Sequence, residues 1–224
     1  MFHFSKRTKD VNNDIRDALF GDKPITKWCN GSGLPWDLFI GAKDEINLGN
    51  KQKAIEILNK VINIKDLESR HYLQAWHFLK QLGVIPDKNI ANKVYGIILE
   101  VSLNGGLDIL AAYEDHSARY FNYSGSVVIW DKADTSLNHL IDNLISISQG
   151  VVAQIGPWDK ERPNPPIKGN ARMNFLTPIG LYFGEGPLNL LSKDPIDGSI
   201  ITAGTELMQK LIQKSNVSGK DHTK

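Results

Sequence analysis

Val94–Asp131, VYGIILEVSLNGGLDILAAYEDHSARYFNYSGSVVIWD, carries most of the information about the fold. Its apolar residues are largely β-branched or aromatic and come in short runs, as in strands, and three turn signals divide them. Asn104-Gly105 is the strongest signal, because this pair supplies the positive φ angles of a type I′ hairpin. Asp115-His116 and Ser124-Gly125 are residues that tolerate the left-handed region and mark two further reversals. A four-stranded antiparallel meander is predicted.

With loops of two residues each, opposed positions have constant index sums and alternate residues face opposite sides. Leu99, Leu110, Phe121 and Val128 then form one cross-strand row, beside Ile97, Ala112, Arg119 and Trp130 on the same face. The other face carries Ile98, Ala111, Tyr120 and Ile129, flanked by Glu100, Ile109, Asn122 and Val127. Both faces are largely apolar, whereas a sheet with one wet face alternates. Helices or a second copy of the chain must therefore cover both sides. The assignment is sensitive: a one-residue slip at Asp115-His116 would swap the faces of the third and fourth strands.

Before this stretch the period is helical. A weak helix runs from Asp10 to Phe20 and stops at Gly21, and a firm helical pattern begins at Pro35. A further helix from Leu67 to Leu82, capped by Asp66, buries Tyr72, Ala75, Trp76, Leu79 and Leu82. Gly31-Ser32-Gly33 is read as a plain helix-start loop, because no strand precedes it and no Gly-Lys-Ser/Thr follows. Gly83 to Asn92, with Pro86 inside, marks a boundary. The expected organisation is a helical region over residues 1–85, an α+β domain over 91–214 and a polar tail over 215–224.

After the meander come an amphipathic helix from Asp134 to Gln149 and the segment GPWDKERPNPPIKG, Gly156–Gly169, which holds four of the ten prolines with Trp158 and Arg162. A structureless loop of this length is commonly functional or mobile. A second hairpin is expected from Ala171–Phe175 and Leu181–Phe183 around Pro178-Ile179-Gly180, then a helix from Ser199 to Lys214. The fold class is α+β: N-terminal helical hairpins packed with an antiparallel sheet, a four-stranded meander plus a further hairpin, covered by two C-terminal helices.

Composition excludes more than it identifies. At 224 residues, 41% hydrophobic and 23% charged, the chain is ordinary for a globular protein, and a net charge of +1 offers no general reason to expect nucleic acid or an anionic membrane as partner. No apolar run is long enough to span a bilayer, and MFHFSKRTKD lacks the apolar core of a secretory signal. Cys29 is the sole cysteine, which rules out an intramolecular disulfide and fits the cytoplasm.

Candidate chemistry is sparse. Glu100 and Asn122 would share a row about 9 to 10 Å apart, bordered by Tyr120. A desolvated Glu100 there would act as a base or hold a ligand cation, and one at a wet sheet rim would do neither. With Tyr113, these residues form a candidate ligand-binding set. Trp158 and Arg162 are candidate partner-binding residues, Trp158 either anchoring a partner or pinning its own loop. Arg119 beside Trp130 reads as a cation–π pair, and His139 with Asp142 as a solvated pair. No metal is expected: His71 and His77 point about 120° apart on a helix, and Glu114-Asp115-His116 is a wet turn. No nucleophile motif is present, since Gly-x-Ser-x-Gly is absent and Cys29 has no evident base. No cofactor is expected either.

Two resemblances follow from quoted strings. LGNKQKAIEILNKVI, Leu48–Ile62, resembles the middle of a tetratricopeptide repeat, with Leu48-Gly49 closing one helix and Ala54, Ile55, Leu58 and Ile62 facing its partner. It implies a helical hairpin at about residues 36–62 and a protein-binding scaffold. LAAYEDHSARYFNYSG and MNFLTPIGLYFGEGP resemble an uncharacterised bacterial protein family over roughly Ala91–Lys214. That resemblance implies no activity and no site residues. The preferred expectation is a noncatalytic interaction or scaffold protein of the bacterial cytoplasm that binds another protein or itself. The alternative is a small-molecule-binding protein or enzyme with a pocket between sheet and helices.

Overall fold

A computed structural model describes residues 14–24, 31–132 and 134–218, with side chains to Ser215. Cys29, the start of the helix expected at Asp10 and the tail from Gly219 lie outside the described residues. The chain is α+β and divides into two compact units, residues 1–91 and 92–224.

In the first unit, α1 (residues 14–20) ends at Gly21, whose φ of +63° no branched residue adopts cheaply. A Cβ there would also come within 2.9 Å of Leu73 Cβ. Helices α2 (Trp36–Asn47) and α3 (Lys51–Asn63) form the expected hairpin, turned at Gly49 with φ +79°. Ala54 is fully buried, and α4 (Ser69–Gln81) completes a core in which Phe39 meets Phe78 edge-on at 5.9 Å. A short α5 (Lys88–Ala91) closes the unit. Asp66 does not cap α4: its φ of +62° places it in a turn, and Glu68 occupies the N-cap position, its carboxylate bound by Arg70 rather than capping the helix. The Gly31–Gly33 loop keeps its donor inside the protein, the Gly33 N–H donating to Asp37 Oδ2 at 3.1 Å.

The second unit is built on one six-stranded antiparallel sheet of β1 (Gly96–Leu103), β2 (Gly106–Tyr113), β3 (Ala118–Phe121), β4 (Val127–Trp130), β5 (Asn170–Thr177) and β6 (Gly180–Pro187), ordered β4-β3-β2-β1-β5-β6. The Asn104-Gly105 corner is a two-residue reversal pairing Leu103 with Gly106, and Leu99 lies opposite Leu110 as expected. It is not type I′. Neither Asn104 nor Gly105 has a positive φ; Gly106 does, at +145°, and the Tyr123 ring occupies the space a Cβ on Gly105 would need.

The other two corners each hold one residue more than expected. The Tyr113 N–H donates to Ser117 O, and the Asn122 N–H donates to Ser126 O, leaving three-residue loops that end in the left-handed region at His116, φ +65°, and Gly125, φ +94°. That is the next commonest hairpin loop, a tight turn closed by a left-handed residue. The first extra residue turns β3 over, and the second turns β4 back. Tyr120, not Phe121, therefore lies opposite Leu110, while Val128 and Trp130 keep their expected face. Arg119 moves to the opposite face from Trp130.

The face carrying Ile97, Leu99, Leu110, Ala112, Tyr120 and Trp130 packs on α6 (Asn138–Val152) and α8 (Asp197–Ser218), α6 over β1 and β2 and α8 over β4. The stripes of both helices match their spacing, with Leu137, Leu140, Ile141 and Leu144 inward on one side and Ile200, Ala203, Leu207 and Leu211 on the other. Gly204 lets α8 approach closely, since a Cβ would fall 2.2 Å from Leu99 Cδ1. A single turn, α7 (Leu188–Leu191), follows β6. Helix α8 extends to Ser218, past the expected end at Lys214.

The second face is not bathed in solvent at its centre. Ile98, Glu100, Ala111 and Asn174 are fully buried, and the segment from Trp158 to Asn164 packs over its β5–β6 end. At the opposite end it opens.

Candidate functional site

The proposed ligand-binding set does not converge. Glu100 and Tyr113 lie on the second face, whereas Tyr120 lies on the helix-covered face. Asn122 falls just beyond β3 with the parity of Tyr120, so Glu100 and Asn122 share no row; Phe121 takes the place expected for Asn122. Asn122 Nδ2 instead donates to Tyr120 Oη at 3.0 Å, and that hydroxyl donates to Asp108 Oδ2 at 2.9 Å. Burial, with the Asp108 carboxylate beside it, pushes the Tyr120 hydroxyl above the usual phenol range. This knot, with the Tyr123 N–H donating to Asp108 Oδ1 at 2.8 Å, ties the third loop to β2. Tyr113 is buried flat against Gly96, where a Cβ would lie 2.6 Å from its ring.

Glu100 has a different neighbour, delivered by a pairing with no local sequence signal. Strand β5 inserts beside β1 and sets Arg172 opposite Glu100, and β6 sets Glu185 opposite Arg172. The result is a carboxylate–guanidinium–carboxylate row across three strands. Arg172 donates through Nε and Nη2 to Glu185 Oε2 at 2.8 and 2.5 Å and through Nη1 to Asn164 O at 2.6 Å, with Glu100 Oε2 at 3.8 Å. Asn174 Nδ2 donates to both Ile98 O at 3.0 Å and Glu100 Oε2 at 3.2 Å. Arg172 also stacks over Phe183, whose other neighbour is Trp158 at 5.1 Å. Every strong donor in this row is spent on the protein itself, which makes it a fastening. A buried cation between two carboxylates is costly to disrupt.

Trp158 belongs to that fastening. Its N–H donates to Leu181 O at 2.6 Å and its indole to Glu161 O at 2.9 Å, so it pins its own loop along β6. Arg162 sits half-buried in the same loop. His139 does not meet Asp142; the turn residue His116 does, its Nε2 standing 2.9 Å from Asp142 Oδ1. Glu114 pairs with Lys93 at 2.5 Å. Among the described residues no three His, Cys, Asp or Glu side chains gather to hold a metal, and no helix is long and apolar enough to cross a membrane. A cavity of about 400 Å³ in the first unit is lined by Trp36, Arg70, His71 and Gln74, but Gln74 is bonded to the Lys23 backbone and Arg70 to Glu68.

The feature best suited to engaging another molecule is the outer edge of β4. An open groove of about 1000 Å³ runs along Val127–Trp130 between the start of α6 (Leu137, His139, Leu140) and the end of α8 (Lys210, Leu211, Lys214). Val127 and Ile129 are 48% and 58% exposed beside it. Because Asn122 bonds to Ser126, the alternation of an antiparallel ladder directs the N–H and C=O groups of Val127 and Ile129 away from β3, into the groove. Lys214 reaches across to Asp134 at 3.0 Å and lies over the Trp130 ring at 5.3 Å. The Trp130 indole N–H is buried without a hydrogen-bond partner. Hydrogen bonds from Ser136, with Lys214 alongside, lower the Asp134 carboxyl to about 2.

The sequence signal for this edge was the apolar string Val-Val-Ile-Trp with no proline or lysine inside it. What sequence reasoning lacked was the strand order that leaves it outermost. Comparison of the chain with protein-family models, with curated proteins and with solved structures finds no significant match to any of the three.

Proposed function

We propose that this chain is a noncatalytic protein-interaction protein that takes an extended protein segment along the outer edge of β4. The observation that carries this reading is a strand with outward backbone donors and acceptors, two exposed apolar side chains and a groove of about 1000 Å³ beside it. Strand addition of this kind draws affinity from main-chain hydrogen bonds and selectivity from pockets for alternate side chains. An incoming strand would set every second side chain between Leu140 and Leu211, with Lys210 and Lys214 at the rim. The same reading keeps the bacterial cytoplasm as compartment, from the lone Cys29 and the C-terminal resemblance, and leaves the α2–α3 hairpin as a second, tetratricopeptide-like surface.

A panel of overlapping ten-residue peptides on a solid support tests the reading. The full chain is expected to capture segments with alternating apolar residues, and Ile129→Pro, which removes an outward N–H but no bond to β3, is expected to lose that capture. Capture unchanged by Ile129→Pro and by Val127→Lys would exclude the β4 edge as the docking surface.

A further inference from the structure

Resting on the docking reading above, we infer that the segment which pairs with β4 is β4 of a second copy of this chain, so that two sheets join edge to edge about a two-fold axis. Three observations lead there.

The first is that β4, though short and packed by α8 on one face, carries none of the in-strand devices by which sheet edges avoid their own kind. Inward charges, proline and a bulge are the usual ones. The string Val127-Val128-Ile129-Trp130 has no charge and no proline, its pairing with β3 runs without a bulge, and the acidic residue that follows, Asp131, is bound by Arg119.

The second is that this edge is complementary to itself. In a two-fold pair the outward groups of Val127 and Ile129 on one copy must meet the outward groups on the other. Centred on Val128, the pairing sets Val127 against the other copy's Ile129 and makes about four backbone hydrogen bonds. The two most exposed apolar side chains of the edge then cover each other. Centring on Ile129 instead sets Asp131 against Val127 and strands a carboxylate on apolar surface. The Val128-centred register opposes no like charges.

The third is room. Helix α8 and the start of α6 overhang the edge, and the groove beneath them has about 1000 Å³ for the second copy's Val128 and its neighbours. A four-residue edge buries less than the roughly 1,600 Å² of a standard interface, so the dimer is weak, forming reversibly at about micromolar concentration.

Two measurements on the full chain test this, both in a Cys29→Ser background. Light scattering after size exclusion should show a mass that rises from monomer to dimer with concentration. Val127→Lys and Ile129→Pro, each checked for unchanged circular dichroism, should raise the dissociation constant about tenfold or more. Mild oxidation of Val128→Cys should give a covalent dimer, because residues opposed at a non-hydrogen-bonded site have Cα atoms about 4.5 Å apart. Ser124→Cys, about 26 Å from its own counterpart in this register, should give none.

A monomer at every concentration, with no cross-link in Val128→Cys, overturns the inference. A dimer that survives both edge variants without the cross-link overturns it too, since the contact is then elsewhere. A dimer seen only after deletion of residues 219–224 overturns it in favour of the chain's own tail as occupant. The docking reading fails separately: a monomer whose peptide capture still depends on Ile129 ends the second copy and keeps the docking edge, and a monomer without such capture ends both.

Discussion

Ile129 and Phe183 sit at the two ends of one cross-strand row that passes through Arg119, Ala111, Ile98 and Asn174, and they meet opposite fates. At the β6 end, Phe183 is held between Trp158 and Arg172, the Trp158 backbone bonds to the Leu181 carbonyl, and Pro187 ends the strand. At the β4 end, Ile129 is 58% exposed beside an open groove. One sheet therefore has a shielded edge and a bare one. Exposed apolar residues at β4 are thus not a general looseness of the fold, because the same sheet closes its other side with a dedicated loop and a buried guanidinium.

The largest effect is expected from taking away the closure. Arg172→Leu removes the buried guanidinium that joins Glu185 to the loop carbonyl of Asn164 and stands 3.8 Å from Glu100, and is expected to cost about 3–5 kcal/mol of stability by chemical denaturation. Phe183→Lys, which puts a charge under Trp158, should cost about 2 kcal/mol. Its counterpart at the other end of the row, Ile129→Lys, should change stability by less than about 0.5 kcal/mol. Equal costs for these two would erase the distinction between the edges.

Trp158→Ala should act locally: amide exchange at residue 158 accelerates while the β1–β2 amides keep their protection. Smallest of all is the ion pair at the bare edge. The Asp134 carboxyl titrates at about 2 against an ordinary 3.8, so its contribution to stability is full above about pH 4 and fades as acid is added towards pH 2. Asp134→Asn should flatten the stability profile in that window, slightly lowering stability near neutrality and matching the parent chain at the acid end. A carboxyl titration midpoint near 4, read by NMR, would show that Ser136 and Lys214 do not hold this group.

Much of the architecture was legible locally. The helical stripes of α6 and α8, the six strands and the Leu99–Leu110 register follow from periodicity and turn residues, which act over a few neighbours; the α2–α3 hairpin was what the tetratricopeptide resemblance of Leu48–Ile62 implied. The β3 register was not legible, because two-residue and three-residue loops use overlapping chemistry at Asp115-His116 and Ser124-Gly125. The choice depends on whether His116 or its neighbour takes the left-handed conformation. That single choice carried Tyr120 to the helix-covered face and removed the pairing of Glu100 with Asn122, and with it the expected ligand set.

Short segments of the chain were enough to set the kind of every long element, though not of the single turns α5 and α7, and the apolar character of both sheet faces, since backbone propensity and side-chain period act over a few residues. The strand order came from packing alone. The insertion of β5 beside β1 joins residues more than seventy positions apart, such as Glu100 and Asn174, and it leaves β4 as an edge. Such pairings are chosen by the burial of whole layers, and no local run of residues records which strand will be left without a neighbour.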